Sequence, residues 1–400
     1  MLVVICGGGP GGAVAAQKLA QSGVETILLE KNFTRIKPCG GAIPPALIRE
    51  FDIPEHIIER RVQAITVYAP SGQSVQLDTP NSFVGMVNRE AFDQFLRDRA
   101  TQAGALIVEA RVETLDATEL GAFVTFTTPD GRRKTVQPDC IIGADGVNSL
   151  VARKLNLVKG GLQATAVQER FALKSDHIAQ LIQRCEIYYD GRFSPDFYSW
   201  VYPKADHVVI GTATTVSNAN VHIYLETFKQ QLGIHDAPTL TETAQIPLRP
   251  LKSWTANRTV LIGDAAGLAA PTSGEGIYYA MKSGVMAAEA ILECSADLRA
   301  HKLEDAYQKR FMKEYGATYR QLEALQTTYY QSDEHREALV HLCTDASIRD
   351  LAIQSYLFNK RLSPVSIFTS LKLKTKNAVQ LTRVKLGHFT GNEKLDKLAK

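Results

Sequence analysis

Three turns and one loop in this sequence hold residues whose types and spacing suit chemistry. Gly7-Gly8-Gly9-Pro10-Gly11-Gly12 satisfies GxGxxG through Gly7, Gly9 and Gly12. Glycines at these positions let the backbone turn tightly and approach a pyrophosphate, which then rests on the N-terminus of the helix that follows. Glu30, 23 residues after Gly7, ends an apolar run where a carboxylate can bind adenosine ribose hydroxyls. With a strand before and a helix after, this pattern points to dinucleotide binding. Two further turns, Gly143-Ala144-Asp145-Gly146 and Gly263-Asp264-Ala265-Ala266-Gly267, each follow an apolar run, and Gly274, Glu275, Gly276 and Ile277 come next. A Gly-Asp pair alone is usually only a turn. Tyr198, Trp200 and Tyr202 alternate, so on a strand they share one face. That face suits sheet core equally well, because aromatics favour strands.

The elements that must position these residues are legible in outline. Leu2 to Cys6 reads as a buried parallel strand, Gly11 to Gln21 as an alanine-rich helix and Val24 to Glu30 as a second strand, the opening of a doubly wound fold. Asn88 is a good N-cap for a helix over Arg89 to Ala103. Leu106 to Val112 and Cys140 to Gly143 read as strands flanking a hairpin-rich insert around Asp130-Gly131. Gln63 to Ala69 and Ser74 to Leu77 read as strands joined at Ser71-Gly72, and Thr165 to Thr215 as mainly β. Val260 to Ile262 returns as a short strand, a helix runs from Glu275 to about Glu293, and everything after Leu303 is helical in character. The expected organisation is a nucleotide-binding domain over 1–61, 88–160 and 256–300. A β-rich substrate domain over 62–87 and 161–255 interrupts it, and a helical region with a basic tail fills 301–400.

Composition narrows the class. Four hundred residues, 45% hydrophobic and 22% charged, are those of an ordinary globular chain of two connected domains. A net charge of +3 is too small to argue for nucleic acid. The first apolar run follows Met1 directly, so no signal peptide is expected, and no stretch approaches the roughly 20 apolar residues of a spanning helix. The six cysteines are scattered, which argues against disulfides, structural zinc or a redox dithiol. A cytoplasmic location and no metal are expected.

Taken together and in this order, the glycine-rich turns resemble the aromatic-hydroxylase-like superfamily of FAD proteins. The resemblance implies an α/β fold: a doubly wound FAD-binding domain of the glutathione-reductase/aromatic-hydroxylase-like kind, interrupted by a β-sheet substrate domain, with a helical C-terminal region. It implies that Asp264 binds the ribityl chain, that Asp145 lies at the cofactor, and that the helix opening at Glu275–Ile277 points its N-terminus at the flavin pyrimidine ring, where reduced flavin is anionic. Arg89 heads a stretch similar to the R-x-x-F-D-x-x-L helix, whose arginine approaches FAD; an exposed arginine in a first helical turn is the plain alternative. Val112 matches the position whose backbone meets the adenine. No second GxGxxG is present, so any nicotinamide docks transiently. No four-cysteine cluster lies near the C-terminus, which excludes an iron–sulfur centre.

Two loops narrow the substrate. Lys37-Pro38-Cys39-Gly40-Gly41-Ala42-Ile43-Pro44 resembles the signature loop of geranylgeranyl reductases, closest to the branch that reduces the geranylgeranyl tail of chlorophyll or bacteriochlorophyll to phytyl. Pro195 to Pro203 resembles that family's P-x-x-Y-x-W-x-F-P motif, with Tyr202 in place of phenylalanine. Membership implies NADPH reducing FAD, FAD reducing an isolated alkene, and a protein proton for the second carbon. Because no carbonyl polarises such an alkene, catalysis rests on positioning in a water-excluded site and on proton supply. Cys39, between Pro38 and Gly40-Gly41 where the backbone can pass close to the flavin, is the first candidate donor, since a thiol of ordinary pKa near 8.5 is protonated at neutral pH. A small packing residue is its plain reading. Tyr198 is a second donor candidate, and Tyr198, Trp200 and Tyr202 would form an apolar wall for the isoprenoid. A monooxygenase or halogenase on the same fold and a non-enzymatic prenyl-binding escort are the alternatives.

The stretch from Leu351 to Asn392 holds no Asp or Glu but carries Lys360, Arg361, Lys372, Lys374, Lys376, Arg383 and Lys385. Apolar residues are interleaved among them, yet the cations do not share one helical face. Peripheral, salt-sensitive membrane contact is the expectation, with a solvated basic tail the plain alternative.

Overall fold

The computed structural model describes residues 1–34, 37–79 and 81–358. Most of the basic C-terminal stretch therefore lies outside the described residues.

Leu2–Cys6 is a central strand of a six-stranded sheet because both its faces are covered and its residues are apolar throughout. It pairs in parallel with Glu25–Glu30 on one side, Val4 opposite Ile27, and with Cys140–Gly143 on the other, Val4 opposite Ile141. Thr259–Leu261 and Thr255–Ala256 extend one edge and Leu106–Glu109 forms the other. The ends of the central strands feed the three glycine-rich turns, which brings residues far apart in sequence to one edge of the sheet.

Two helices set that edge. Pro10–Gln21 and Ile277–Glu293 lie against each other so closely that a Cβ added at Gly284 would stand 2.4 Å from the Gly11 carbonyl oxygen. Small residues on both helices make this approach possible. The second helix begins at Ile277, two residues later than the pattern suggests, because the carboxylate of Glu275 accepts from the Tyr278 N–H at 2.8 Å and turns the chain into the helix.

The strand expected over Leu106 to Val112 is two strands, Leu106–Glu109 and Arg111–Ala117. The chain turns a corner at buried Ala110, whose N–H donates to the Glu30 carbonyl at 2.7 Å. The first piece then stays in the parallel sheet, and the second joins Ala122–Thr127 and Arg133–Val136 in an antiparallel sheet, with the Asp130-Gly131 hairpin at its end. Asn88 caps the helix Arg89–Gln102 as expected, accepting from Glu90 N–H at 2.8 Å.

A seven-stranded sheet carries the aromatic motif. Its order is Leu240–Pro247, Gln163–Ala172, His207–Thr214, Ser199–Pro203, Glu186–Tyr188, Ala64–Tyr68 and Ser74–Asp78. Alternation divides its faces. Val201, Val208 and Ile210 pack under the helix Val221–Gln231 through Leu225 and Phe228. Trp200, Ala166 and Ala213 face the other way, into a cluster shared with the C-terminal helices through Tyr329, Tyr330 and Val340. The helix Val221–Gln231 is an addition to the expected elements. The helices Arg310–Tyr329, Asp333–Leu342 and Ala346–Phe358 match the helical reading of the C-terminal third. Arg336, almost fully buried, ties them to the aromatic loop by donating to the carbonyls of Tyr330 and Pro195.

Gly284→Ala would force the two helices apart. Overpacking of this kind costs about 1–3 kcal/mol, so denaturant unfolding should show a loss of that order together with weakened flavin retention.

Candidate active site

A single cleft of about 760 Å³ runs along the C-terminal edge of the parallel sheet and under the seven-stranded sheet. It collects the residues singled out above from every part of the chain. Its lining includes Gly7, Gly9, Gly12, Glu30, Val112 and Asp145, then Arg89, Asp264, Gly274, Gly276 and Ile277, and also Cys39, Gly40, Gly41, Tyr198, Trp200 and Tyr202.

The first turn is built to admit a ligand. A Cβ at Gly12 would stand 2.0 Å from the Gly7 carbonyl oxygen, whereas one at Gly9 would meet nothing within 4 Å. Gly9 therefore borders open space directly in front of the Pro10–Gln21 helix, whose N-terminus has no side-chain cap. Unpaired N–H groups at such an end bind phosphate. Glu30 accepts from the Gly8 N–H at 2.7 Å. Arg97 holds the same turn by donating to the Gly8 carbonyl at 3.2 Å. No sequence motif marks Arg97; only its burial does.

Two carboxylates have an open oxygen. Asp145 accepts from the Leu150 N–H at 2.6 Å at the start of the helix Leu150–Lys154, which Ser149 caps, while the Asp145 Oδ1 is buried without a partner. Burial pushes its carboxyl above the ordinary range. Glu275 uses Oε1 on Tyr278, and its buried Oε2 has no partner. Burial pushes the Glu275 carboxyl up to about 7, against the pull of the Tyr278 and Ile277 N–H groups. Asp264 pairs with the Lys37 ammonium, which reaches across from the cysteine loop. The pairing of Lys37 with Asp264 was not legible in sequence, because the two lie 227 positions apart.

Arg89 is buried rather than exposed. It donates to both oxygens of Asp93, at 3.0 and 2.8 Å, and stands beside the Cys39 sulfur. The Cys39 sulfur accepts from the Gly41 N–H at 3.3 Å, and the Gln168 amide donates to the Cys39 carbonyl at 3.4 Å. Gln168 is itself held by Glu242, which Arg170 grips through two bonds of 2.9 Å. The loop backbone crosses the Tyr202 ring so closely that a Cβ at Gly40 would stand 2.7 Å from it.

The aromatic residues belong both to the sheet core and to the cleft lining. Tyr198, Trp200 and Tyr202 form a ladder with ring centroids 5.8 and 6.1 Å apart, packed into the core on one side and lining the cleft on the other. Ile65, Ile187 and Ile246 complete an apolar pocket around them. The Tyr198 hydroxyl is directed at the Ser273 carbonyl, 2.5 Å away.

Residues 1–313 match the FAD binding domain family. The chain is 38% identical to the geranylgeranyl diphosphate reductase of Rhodobacter capsulatus, across 94% of this chain and 96% of that one. It is 36% identical to the enzyme of the same name from Synechocystis, across 95% and 98%. The chain belongs to the geranylgeranyl reductase family of FAD-binding proteins. Its fold is also that of a geranylgeranyl bacteriochlorophyll reductase-like protein from Thermoplasma acidophilum, with a TM-score of 0.79, 23% identity and coverage of 95% of this chain and 97% of that one. A flavin-dependent brominase aligns with a TM-score of 0.73 at 17% identity, across 94% and 100%, a likeness of fold alone.

The residues present fit FAD, this family's cofactor. The open space at Gly9 suits the pyrophosphate, Glu30 suits a ribose, and the orphaned Asp145 oxygen awaits a donor. The helix N-terminus at Gly276 and Ile277, where Glu275 accepts from the Tyr278 N–H, lines the cleft where the electron-rich edge of the flavin would lie.

Gly9 has extended φ and ψ of −72° and −178°, so another residue fits its backbone. Gly9→Val should therefore leave thermal unfolding of the cofactor-free protein unchanged while purified protein loses its yellow colour; retained flavin would clear Gly9 of the phosphate site.

Proposed function

We propose that this protein is an FAD-dependent geranylgeranyl reductase that uses NADPH to reduce isolated double bonds of a geranylgeranyl tail to phytyl, as the free diphosphate or esterified to chlorophyll or bacteriochlorophyll. The observation that carries this reading is the continuity of the cleft, which joins a dinucleotide cradle to an aromatic-walled apolar pocket with Cys39 at the junction. Family membership at 36–38% identity along nearly the whole chain supports the same conclusion. The domain reading goes with it: 1–61, 88–160 and 256–300 as the cofactor domain, 62–87 and 161–255 as the substrate domain.

When bound, FAD reduced by transiently docked NADPH would supply hydride chemistry for one alkene carbon. The protein does the rest. Gly7, Gly9, Gly12, Glu30, Arg89, Val112, Asp145, Asp264, Gly274, Gly276 and Ile277 hold the cofactor. Trp200, Tyr202 and the isoleucines around them exclude water and keep the flexible tail in line, so that orientation supplies much of the rate. Cys39 Sγ holds the proton for the second carbon, and Gly40 and Gly41 let its loop pass close to the reacting edge. The Tyr198 proton is committed to the Ser273 carbonyl, which favours Cys39 as donor.

Anaerobic incubation with NADPH and either geranylgeranyl diphosphate or a geranylgeranylated pigment should give products heavier by two hydrogens per reduced bond, read by mass spectrometry. An oxygen-dependent, oxygenated product would instead support a monooxygenase. Cys39→Ala should leave flavin reduction by NADPH fast and slow alkene reduction by about 10²–10⁴-fold, the usual worth of a positioned general acid; equal slowing of both half-reactions would make Cys39 structural.

No described helix is long and apolar enough to cross a membrane. The basic stretch beyond residue 358 supports peripheral contact with anionic lipid, at about 1 kcal/mol per cation near the surface. Flotation with anionic liposomes at low salt should carry the intact protein upward, and high salt or truncation after Phe358 should release it; protein that stays at the bottom at low salt would refute the contact.

A further inference from the structure

Lys204 is a cation in a place that normally admits none. Its residue is 4% exposed, and its ammonium donates to the Val87 carbonyl at 3.0 Å. It sits against the cysteine loop: a Cβ at Gly41 would stand 2.4 Å from Nζ. The Gly41 N–H is the group that donates to the Cys39 sulfur. Lys204 and Cys39 also share a small cavity of about 20 Å³ behind the loop. A space of that size with polar walls holds about one water. Burying an ammonium is costly unless it is paired and hydrogen-bonded, and the Val87 bond alone could be made by a neutral donor.

The groups around it are mixed in sign. Cys39 and Glu59 favour the charged form, whereas Arg89 and Arg170 oppose it; Lys37 and His207 share the small cavity, and Cys185 lies nearby. Burial dominates and pushes the Lys204 ammonium down to about 8. At that value it is protonated at neutral pH yet gives up a proton readily, unlike an ordinary surface lysine.

We propose that Lys204 is a positioning residue for proton supply, which acts through Cys39 by returning a proton to its sulfur after each alkene is reduced. This rests on Cys39 being the donor. The balance is complete. One alkene carbon receives the hydride that NADPH delivered to the cofactor, and the other receives the proton of the Cys39 thiol, which becomes a thiolate. The thiolate takes a proton from the Lys204 ammonium, directly or through one water in the small cavity. The resulting amine takes a proton from solvent. A tail with several double bonds needs one such cycle for each, so a thiol without resupply stops after the first.

Lys204→Ala separates the possibilities. Reduced enzyme mixed with substrate at pH 7 should complete a first alkene reduction at the wild-type rate, because Lys204 acts only after the first proton has been spent. Later turnovers with NADPH should slow at least tenfold, which appears as a burst. Methylamine should restore them. Wild-type steady-state turnover should fall as pH rises through about 8, where Lys204 loses its proton, and the variant should lack that step. Lys204→Arg keeps the charge and the Val87 bond, but a guanidinium does not release its proton, so it should behave like alanine. Should alanine disturb folding, Lys204→Met carries the same measurements. Slowing of the first turnover as much as later ones, full activity in the arginine variant, or no slowing at all would each overturn the relay. Wild-type alkene reduction in Cys39→Ala would overturn the donor reading beneath it, which the Lys204 variants by themselves do not test.

Discussion

Contact between two helices governs the rest of this architecture. Pro10–Gln21 and Ile277–Glu293 meet backbone to backbone at Gly11 and Gly284, and no side chain fits between them. That approach brings two helix N-termini from opposite ends of the cofactor domain to the same cleft. Each end presents N–H groups with no intrahelical partner and a partial positive charge. A long anionic molecule can then lie across both. The parallel sheet beneath supplies the registry, because its central strands deliver the three glycine-rich turns to one edge. Loss of the close contact would leave two separate weak anion sites instead of one extended cradle.

The second organising feature is the cysteine loop, which is tied down at both faces. Lys37 pairs with Asp264 on the cofactor side, while Gln168 donates to the Cys39 carbonyl and Arg89 stands beside the Cys39 sulfur. Charges of this kind, buried or half-buried, add little net stability compared with apolar packing, but breaking one leaves its partner uncompensated. Their placement therefore defines a conformation more than it strengthens the fold. The loop lines the same cleft as the glycine-rich turns and the aromatic strand.

The aromatic strand resolves an apparent conflict between packing and recognition. Tyr198, Trp200 and Tyr202 are core residues of the seven-stranded sheet and also the wall of the cleft. A rigid wall suits an isoprenoid, which offers no polar handle and must be held by shape. Packing from the C-terminal helices, secured through buried Arg336, supplies that rigidity.

Much of this was legible in the chain because it depends on local rules. The glycine turns, the period-2 aromatics, the Asn88 cap and the helical C-terminal region follow from steric and hydrogen-bond preferences that act over a few residues. The cofactor and the substrate class came from motif resemblance, carried by the cysteine loop and the aromatic loop. Tertiary structure alone decided the rest. The corner at Ala110 is invisible in sequence, since the apolar pattern runs through it unbroken and only strand pairing chooses where to leave the sheet. Arg89 could have been exposed, and Arg97 and Lys204 resemble ordinary surface residues in a one-dimensional reading. Burial gives each of them its character, and burial depends on which distant segments close over a side chain. Local spacing therefore encodes where a phosphate or an aromatic ring can sit, whereas the charge state around Cys39 is set by contacts between segments remote in the chain.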